Sequence, residues 1–116
     1  MWSLAWVLGY PVPPALTGQM PGDAIQEMVF RWLPGLDTTP EALLERGQIR
    51  SDADVAALED FFYCAHNAVR SAQLGHPTVP PGFHPVGDGG CVHERRHALT
   101  WCMSPSTSWD DTDLST

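Results

Sequence analysis

Lysine is absent from this sequence of 116 residues, and its 6 basic residues, all arginines, are outnumbered by 14 aspartates and glutamates, for a formal net charge of −8. A nucleic-acid backbone or an anionic membrane attracts a protein through positive surface, which scattered arginines in an acidic chain do not supply. We therefore expect neither nucleic acid nor a membrane as a partner. A basic or neutral partner remains compatible with this charge.

Cysteine is also scarce. The three cysteines, Cys64, Cys91 and Cys102, are odd in number and lack the dense spacing of a secreted disulfide framework. This usage favours a reducing compartment, and we expect a cytoplasmic protein. Cys91 follows two glycines at a predicted helix start, where the helix dipole would stabilise a thiolate. It is either an activated nucleophile or, more simply, an inert thiol.

Long hydrophobic runs are missing as well. The first 22 residues carry no charged side chain, but Gly9 and Pro11 interrupt them well short of the roughly 20 apolar residues of a membrane-spanning helix. No positively charged segment precedes the apolar residues, as it would in a secretory signal. We expect a buried opening helix instead, and we expect any protein partner or homo-oligomer contact to use this apolar N-terminal helix.

The spacing of apolar residues predicts an all-α fold, a compact single-domain bundle of about five helices spanning residues 1–116. The predicted helices cover residues 2–9, 23–33, 39–46, 51–73 and 91–103. Between the last two lies a Pro- and Gly-rich loop of about fifteen residues, a length that is typical of functional or mobile segments. An acidic C-terminal tail follows the last helix.

Polar residues at helix starts support these boundaries. Asp23 with Gln26, and Ser51 with Asp54, have the spacing of capping boxes. Thr39 before a proline is typical of an N-cap followed by a first helical turn. Stop signals follow the second and third helices at Pro34, Gly35 and Gly47.

The longest predicted helix has two distinct faces. Its core stripe consists of Val55, Leu58, Phe62, Ala65 and Val69. A polar row at spacings of four, three and four consists of Glu59, Tyr63, His66 and Arg70. This row is either solvated, or its members Tyr63 and His66 line a pocket. On the last helix we expect Val92, Leu99, Cys102 and Met103 to be buried.

The last helix also carries the string His93-Glu94-Arg95-Arg96-His97. In zinc peptidases two histidines at this spacing bind the metal, and the glutamate activates the bound water. By composition alone the string arises in about one such chain in a hundred. The two arginines would place cations beside the metal, and His66 or a tail aspartate would have to be the third ligand. A zinc-dependent hydrolase is therefore an alternative, and we expect no catalytic residue, metal or cofactor.

The acidic tail suggests a different role for the same helix. Aspartates just beyond a helix C-terminus meet the negative end of its dipole. Arg95 and Arg96 lie roughly 10 Å back along the axis, and the intervening residues span up to roughly 20 Å. We predict that the tail folds back, with Trp109 in an apolar notch and Asp110, Asp111 or Asp113 meeting an arginine. The alternatives are a frayed tail and a magnesium or calcium site.

The C-terminal third resembles the end of the bacterial DUF4272 family. The resemblance rests on an E-R-x-x-A-L-x-W helix and a W-D-D-x-D tail. Its residues here are Glu94, Arg95, Ala98, Leu99, Trp101, Trp109, Asp110, Asp111 and Asp113. Residues 2–9 and 51–70 are also similar to the preceding helices of that family. The resemblance implies an all-helical intracellular bacterial domain, without an activity to transfer and with further helices upstream in other members.

Within this motif His93 is not required, so the zinc-binding string is interpreted as an accident on a structural helix. The expected structural clasp consists of Glu94, Arg95, Arg96, Trp101, Trp109, Asp110, Asp111 and Asp113. Because the chain lacks a complete catalytic set, we expect a non-catalytic interaction or accessory module.

Overall fold

The protein is described by a computed structural model over residues 1–33, 35, 37, 39–46 and 48–116. This part of the chain contains helices and no strand, which confirms the all-α prediction. The helices are α1 (Trp2–Val7), α2 (Gly22–Glu27), α3 (Pro40–Glu45), α4 (Asp52–Gln73) and α5 (Gly89–Cys102). A π-helical turn, Met28–Trp32, continues α2. The predicted stop signals Pro34 and Gly47 lie outside the described residues.

The core lies between α4 and α5. Phe62 on α4 and Leu99 on α5 are fully buried, and they belong to one apolar cluster with Val55, Val69 and Val92. The remaining members of the predicted stripe on α4, Leu58 and Ala65, pack against the edge of that cluster. Helix α4 begins as predicted, since the hydroxyl of Ser51 accepts a hydrogen bond from the amide of Asp54 at 3.2 Å.

Helix α1 is an internal element that packs on α5. Its residues Ser3, Ala5 and Trp6 are buried. The helix ends at Val7, two residues before the predicted end at Gly9. Gly9 then turns the chain with φ +111°, and a Cβ atom there would lie 2.7 Å from the Cβ atom of Gln48. Most of the apolar surface of α1 is therefore used within the chain.

Some predicted boundaries and burials are wrong. Helix α5 begins at Gly89, two residues early, because this buried glycine lies directly against Val69 and allows the two helices to approach closely. Cys102 and Met103 are exposed instead of buried, since α5 ends at Cys102 and the end of a helix has fewer neighbours around it. In their place Arg96 is buried.

The capping prediction for α2 also fails. The helix begins at Gly22 with Pro21 as its N-cap residue. The carboxylate of Asp23 accepts a hydrogen bond from the amide of Ala24 at 2.9 Å and forms no capping box with Gln26. Thr39 does precede α3, but its side chain makes no capping hydrogen bond.

The Pro- and Gly-rich loop is fastened to α4. The hydroxyl of Thr78 donates to the carbonyl of Ala68 at 2.6 Å, and the side-chain amide of Gln73 donates to the carbonyl of Pro85 at 3.1 Å. Between loop and helices lies a largely apolar cavity of about 550 Å³. None of the described helices is long and apolar enough to cross a lipid bilayer.

Candidate functional site

A buried arginine organises the polar contacts between α4, α5 and the C-terminal tail. Arg96 is 3% exposed. Its Nη1 atom lies 2.8 Å from Nδ1 of His66 and donates to the carbonyl of Leu114 at 2.8 Å, while Nη2 donates to the carbonyl of Ser115 at 3.0 Å. Its guanidinium carbon lies 4.6 Å from the centre of the Tyr63 ring. We call these five residues the Arg96 site.

The helical repeat explains how this site forms. Tyr63 and His66 are three residues apart on α4, so both face the same side of the helix. Packing of α4 on α5 brings that side onto Arg96. The polar row continues at Glu59, whose carboxylate accepts a hydrogen bond from the hydroxyl of Thr100 at 2.8 Å. Most of the row therefore meets α5 and is not simply solvated.

A cavity of about 390 Å³ adjoins the site. It is lined by His66, Arg70 and His93 and by the tail residues 114–116. His66 lines this cavity and is 5% exposed, whereas Tyr63 is 38% exposed and covers the guanidinium from another side.

The protonation state of His66 follows from its partner. A guanidinium is always charged and only donates, so Nδ1 of His66 must accept and the ring hydrogen resides on Nε2. Burial is the main cause that lowers the pKa of His66, and together with the charges of Arg96, His93 and Arg70 it brings the pKa to about 4. The imidazole is therefore neutral near pH 7.

The neighbouring arginine binds a different segment of the chain. Arg95 donates to the carbonyl of Ala15 at 2.5 Å and to the carbonyl of Gly18. Its guanidinium carbon lies 5.1 Å from the centre of the Trp2 ring. Arg95 thus joins α5 to α1 and to the loop that follows α1.

The tail does return along α5, but its aspartates are not the partners of the arginines. Asp111 accepts a hydrogen bond from the hydroxyl of Ser108 at 2.7 Å, and Asp113 accepts one from the amide of Ser115 at 2.9 Å. Hydrogen bonds from Ser115 lower the pKa of Asp113, with a smaller contribution from the charge of Arg96. Asp110 is exposed. Asp111 and Asp113 thus bind neighbouring serines, and the tail meets Arg96 through backbone carbonyls.

Trp109 holds the middle of the tail. Its ring stacks on His97 at 4.0 Å between centroids and meets Trp101 edge-on at 5.6 Å. Nε2 of His97 lies 2.8 Å from the carbonyl oxygen of Trp109, and because a carbonyl only accepts, this nitrogen carries the hydrogen. The indole nitrogen of Trp101 donates to the carbonyl of Thr107 at 3.0 Å.

The zinc-binding string is divided among different surroundings. The rings of His93 and His97 lie 6.2 Å apart, and His93 meets His66 edge-on at 5.2 Å. Glu94 lines a separate cavity with Trp2 and Arg95. Zinc ligation through Nε2 of His97 would require its hydrogen bond to the tail to break. Over the ranges that the structure describes, no three histidine, cysteine or acidic side chains gather as a metal site would require.

The profile of a domain of unknown function, DUF4272, matches residues 1–112. This chain belongs to the DUF4272 family. The match is wider than the C-terminal part on which the resemblance mainly rests. Neither the curated proteins nor the solved structures contain a match to this chain.

The DUF4272 match contains the arginine and its helical neighbours but not all of their partners. Tyr63, His66 and Arg96 lie inside the matched range, whereas Leu114 and Ser115 follow its end. These carbonyl partners, and those of Arg95, leave no signal in the sequence. Every residue has a backbone carbonyl, so no side-chain pattern distinguishes the ones that bind an arginine.

Proposed function

We propose that this DUF4272 domain is a non-catalytic interaction module in which α5 binds backbone carbonyl groups of extended chain segments. The observation that carries the proposal is the contact of buried Arg96 with two successive carbonyls of the tail, those of Leu114 and Ser115. Arg95 binds carbonyls of the loop that follows α1, and His97 binds a further carbonyl of the tail, that of Trp109. Three consecutive residues of α5, at positions 95–97, thus donate to peptide carbonyl groups.

The chemistry of the histidines supports a binding role. A general base needs a free nitrogen and a pKa near the working pH. His66 has a pKa of about 4, and its Nδ1 atom is occupied by Arg96. His97 uses Nε2 as a donor to the tail. Nδ1 of His66 and Nε2 of His97 are therefore not free to act as a base, and Glu94, the base of a zinc peptidase, lines a separate cavity with Trp2 and Arg95.

Metal analysis of untagged protein tests this proposal against the zinc-hydrolase alternative. We expect less than stoichiometric zinc, and we expect the replacement Glu94→Gln to leave a broad hydrolase screen unchanged. Stoichiometric zinc that disappears on joint replacement of His93 and His97 would overturn the proposal. So would a hydrolytic activity that Glu94→Gln abolishes while the protein remains folded.

A protein partner or homo-oligomer contact through the N-terminal helix is part of the proposal. Because α1 buries Ser3, Ala5 and Trp6, the contact would use the side of α1 that bears the half-buried Leu4. Light scattering over a wide concentration range tests it. A dimer that Leu4→Ser dissociates would support the contact, and a monomer throughout would eliminate the homo-oligomer.

We place the protein in the cytoplasm, in keeping with free thiols at Cys64, Cys91 and Cys102.

A further inference from the structure

The buried charge of Arg96 has neutral hydrogen-bond partners. They are an uncharged imidazole and two carbonyl oxygens. The Nε atom is also buried, and it has no hydrogen-bond partner in the part of the chain that the structure describes. A buried cation is costly unless it is paired, and a guanidinium binds a carboxylate through two parallel hydrogen bonds. The site therefore holds a charge and a donor that a carboxylate would satisfy better than a carbonyl does.

The adjoining cavity has a lining that suits a carboxylate. Arg70 and His93 line this cavity next to His66. Arg70 donates to the side-chain oxygen of Gln73 at 2.7 Å, another neutral partner. Positive charge strong enough to help lower the pKa of His66 is thus concentrated in one region of a chain whose net charge is −8. An anion would find this region favourable although the whole protein is acidic.

The tail occupies the site through oxygen atoms. Leu114 and Ser115 present carbonyls to Arg96, and both lie beyond the residues that match the family. Their position depends on a short turn in which Asp113 accepts the amide hydrogen of Ser115. Ser115 is exposed and Leu114 half-buried, so little apolar surface opposes their displacement.

We propose that the Arg96 site binds a carboxylate ligand and that residues 114–115 compete with it from within the chain. The inference rests on the proposed binding function, and it names the ligand class for that site. Two sources of the carboxylate, a small organic acid and the C-terminal carboxylate of a peptide, present the same pair of oxygens, and the test distinguishes them. Chloride and neutral amides lack that pair.

The test is a titration of the full chain followed by NMR of the Arg96 Nε–H and the His66 ring. The probes are propionate, a tetrapeptide with a free C-terminal carboxylate, and the same peptide amidated, all at constant ionic strength. We expect saturable shifts of both signals with at least one carboxylate and none with the amidated peptide or with propionamide. Which carboxylate binds more tightly identifies the source. Equal effects of carboxylate and amide, or no saturable shift, would overturn the proposal.

Two variants at one position test the competition. Asp113→Ala and Asp113→Asn remove the same charge, but only asparagine retains an oxygen that accepts the Ser115 amide. Loss of one such hydrogen bond should loosen the tail, so we expect Asp113→Ala to bind the carboxylate about two- to tenfold more tightly than Asp113→Asn. Equal affinities would show that the tail is not a competitor. Failure of either test leaves the non-catalytic assignment intact, because zinc content and hydrolysis measure that assignment separately.

Discussion

Arg96 and His66 form a buried hydrogen bond of 2.8 Å in which a permanent cation donates to a neutral imidazole. The bond joins the two longest helices at a position where apolar side chains would ordinarily meet. It also fixes the tautomer of the imidazole. Because a protonated His66 would place a second cation beside the guanidinium at a cost in free energy, the pKa of His66 differs between the folded and the unfolded protein.

This relationship predicts loss of stability in mild acid. The pKa of His66 is lowered from 6.5 to about 4 in the folded protein. As the pH falls below 6.5, the unfolded chain therefore binds more protons than the folded protein does. The free energy of unfolding should fall by about 1–3 kcal/mol by pH 4. Above 6.5 this contribution is fully present. Denaturant titrations at a series of pH values measure it.

The variant His66→Gln isolates this contribution from the titration of the carboxylates. Glutamine retains an oxygen for Arg96 but does not titrate, so its stability should fall less between pH 6.5 and pH 4 than that of the wild type. The exposed His76 serves as the matched control, and His76→Gln should follow the wild-type curve. Parallel curves for wild type and His66→Gln would contradict the prediction.

Two adjacent glycines at the start of α5 should respond to alanine with opposite signs. A Cβ atom on Gly89 would lie 2.7 Å from Cγ1 of Val69, whereas Gly90 has open space around it. Gly89→Ala should therefore destabilise the protein by about 1–3 kcal/mol through overpacking. Gly90→Ala should stabilise it by about 0.5–1 kcal/mol through helix propensity. Thermal unfolding of the two variants measures both changes in stability. Effects of the same sign would contradict the close packing of α4 and α5.

The two neighbouring phenylalanines on α4 form a second matched pair. Phe62 is 0% exposed and Phe61 is 50% exposed, with their rings edge-on at 5.5 Å. Phe62→Ala should cost about 3–5 kcal/mol because it leaves a cavity between α4 and α5. Phe61→Ala should cost about 1 kcal/mol, the order of the lost ring contact. Similar losses from the two changes would mean that the register of α4 differs from the one described.

The elements that local patterns determine were the ones that could be predicted. Helix α4 has an apolar stripe of helical period and a hydroxyl cap at Ser51, and α1 is closely followed by Gly9, which has a positive φ. These signals lie within a few residues of the structure they form. The burial of Arg96 has no such signal. It depends on partners that are 18, 19 and 30 residues away in the chain, two of which are backbone carbonyls.

The same reasoning explains why the tail was predicted in outline and not in detail. The tail turns back toward Arg96, but carbonyl groups make the contact and not the aspartates on which the prediction rested. Which atoms meet depends on local hydrogen bonds, because Asp111 and Asp113 bind Ser108 and Ser115 and the carbonyls of residues 114–115 bind Arg96. The acidic pattern W-D-D-x-D therefore predicts the surface that the tail contacts, although its aspartate side chains remain exposed to solvent.

The stacking of Trp109 on His97 predicts how firmly the tail is held. Trp109→Ala removes the ring contact but keeps the backbone carbonyl that binds His97, so the free energy of unfolding should fall by about 0.5–1.5 kcal/mol beyond the lost apolar area. Amides of residues 107–115 should exchange faster with deuterium, as mass spectrometry can measure. Trp109→Phe is the control, because a smaller ring can still stack on the imidazole and should preserve most of the protection. Unchanged exchange in Trp109→Ala would show that the carbonyl contacts of Arg96 and His97 hold the tail by themselves. The carboxylate that we propose displaces residues 114–115 would then compete with those contacts alone.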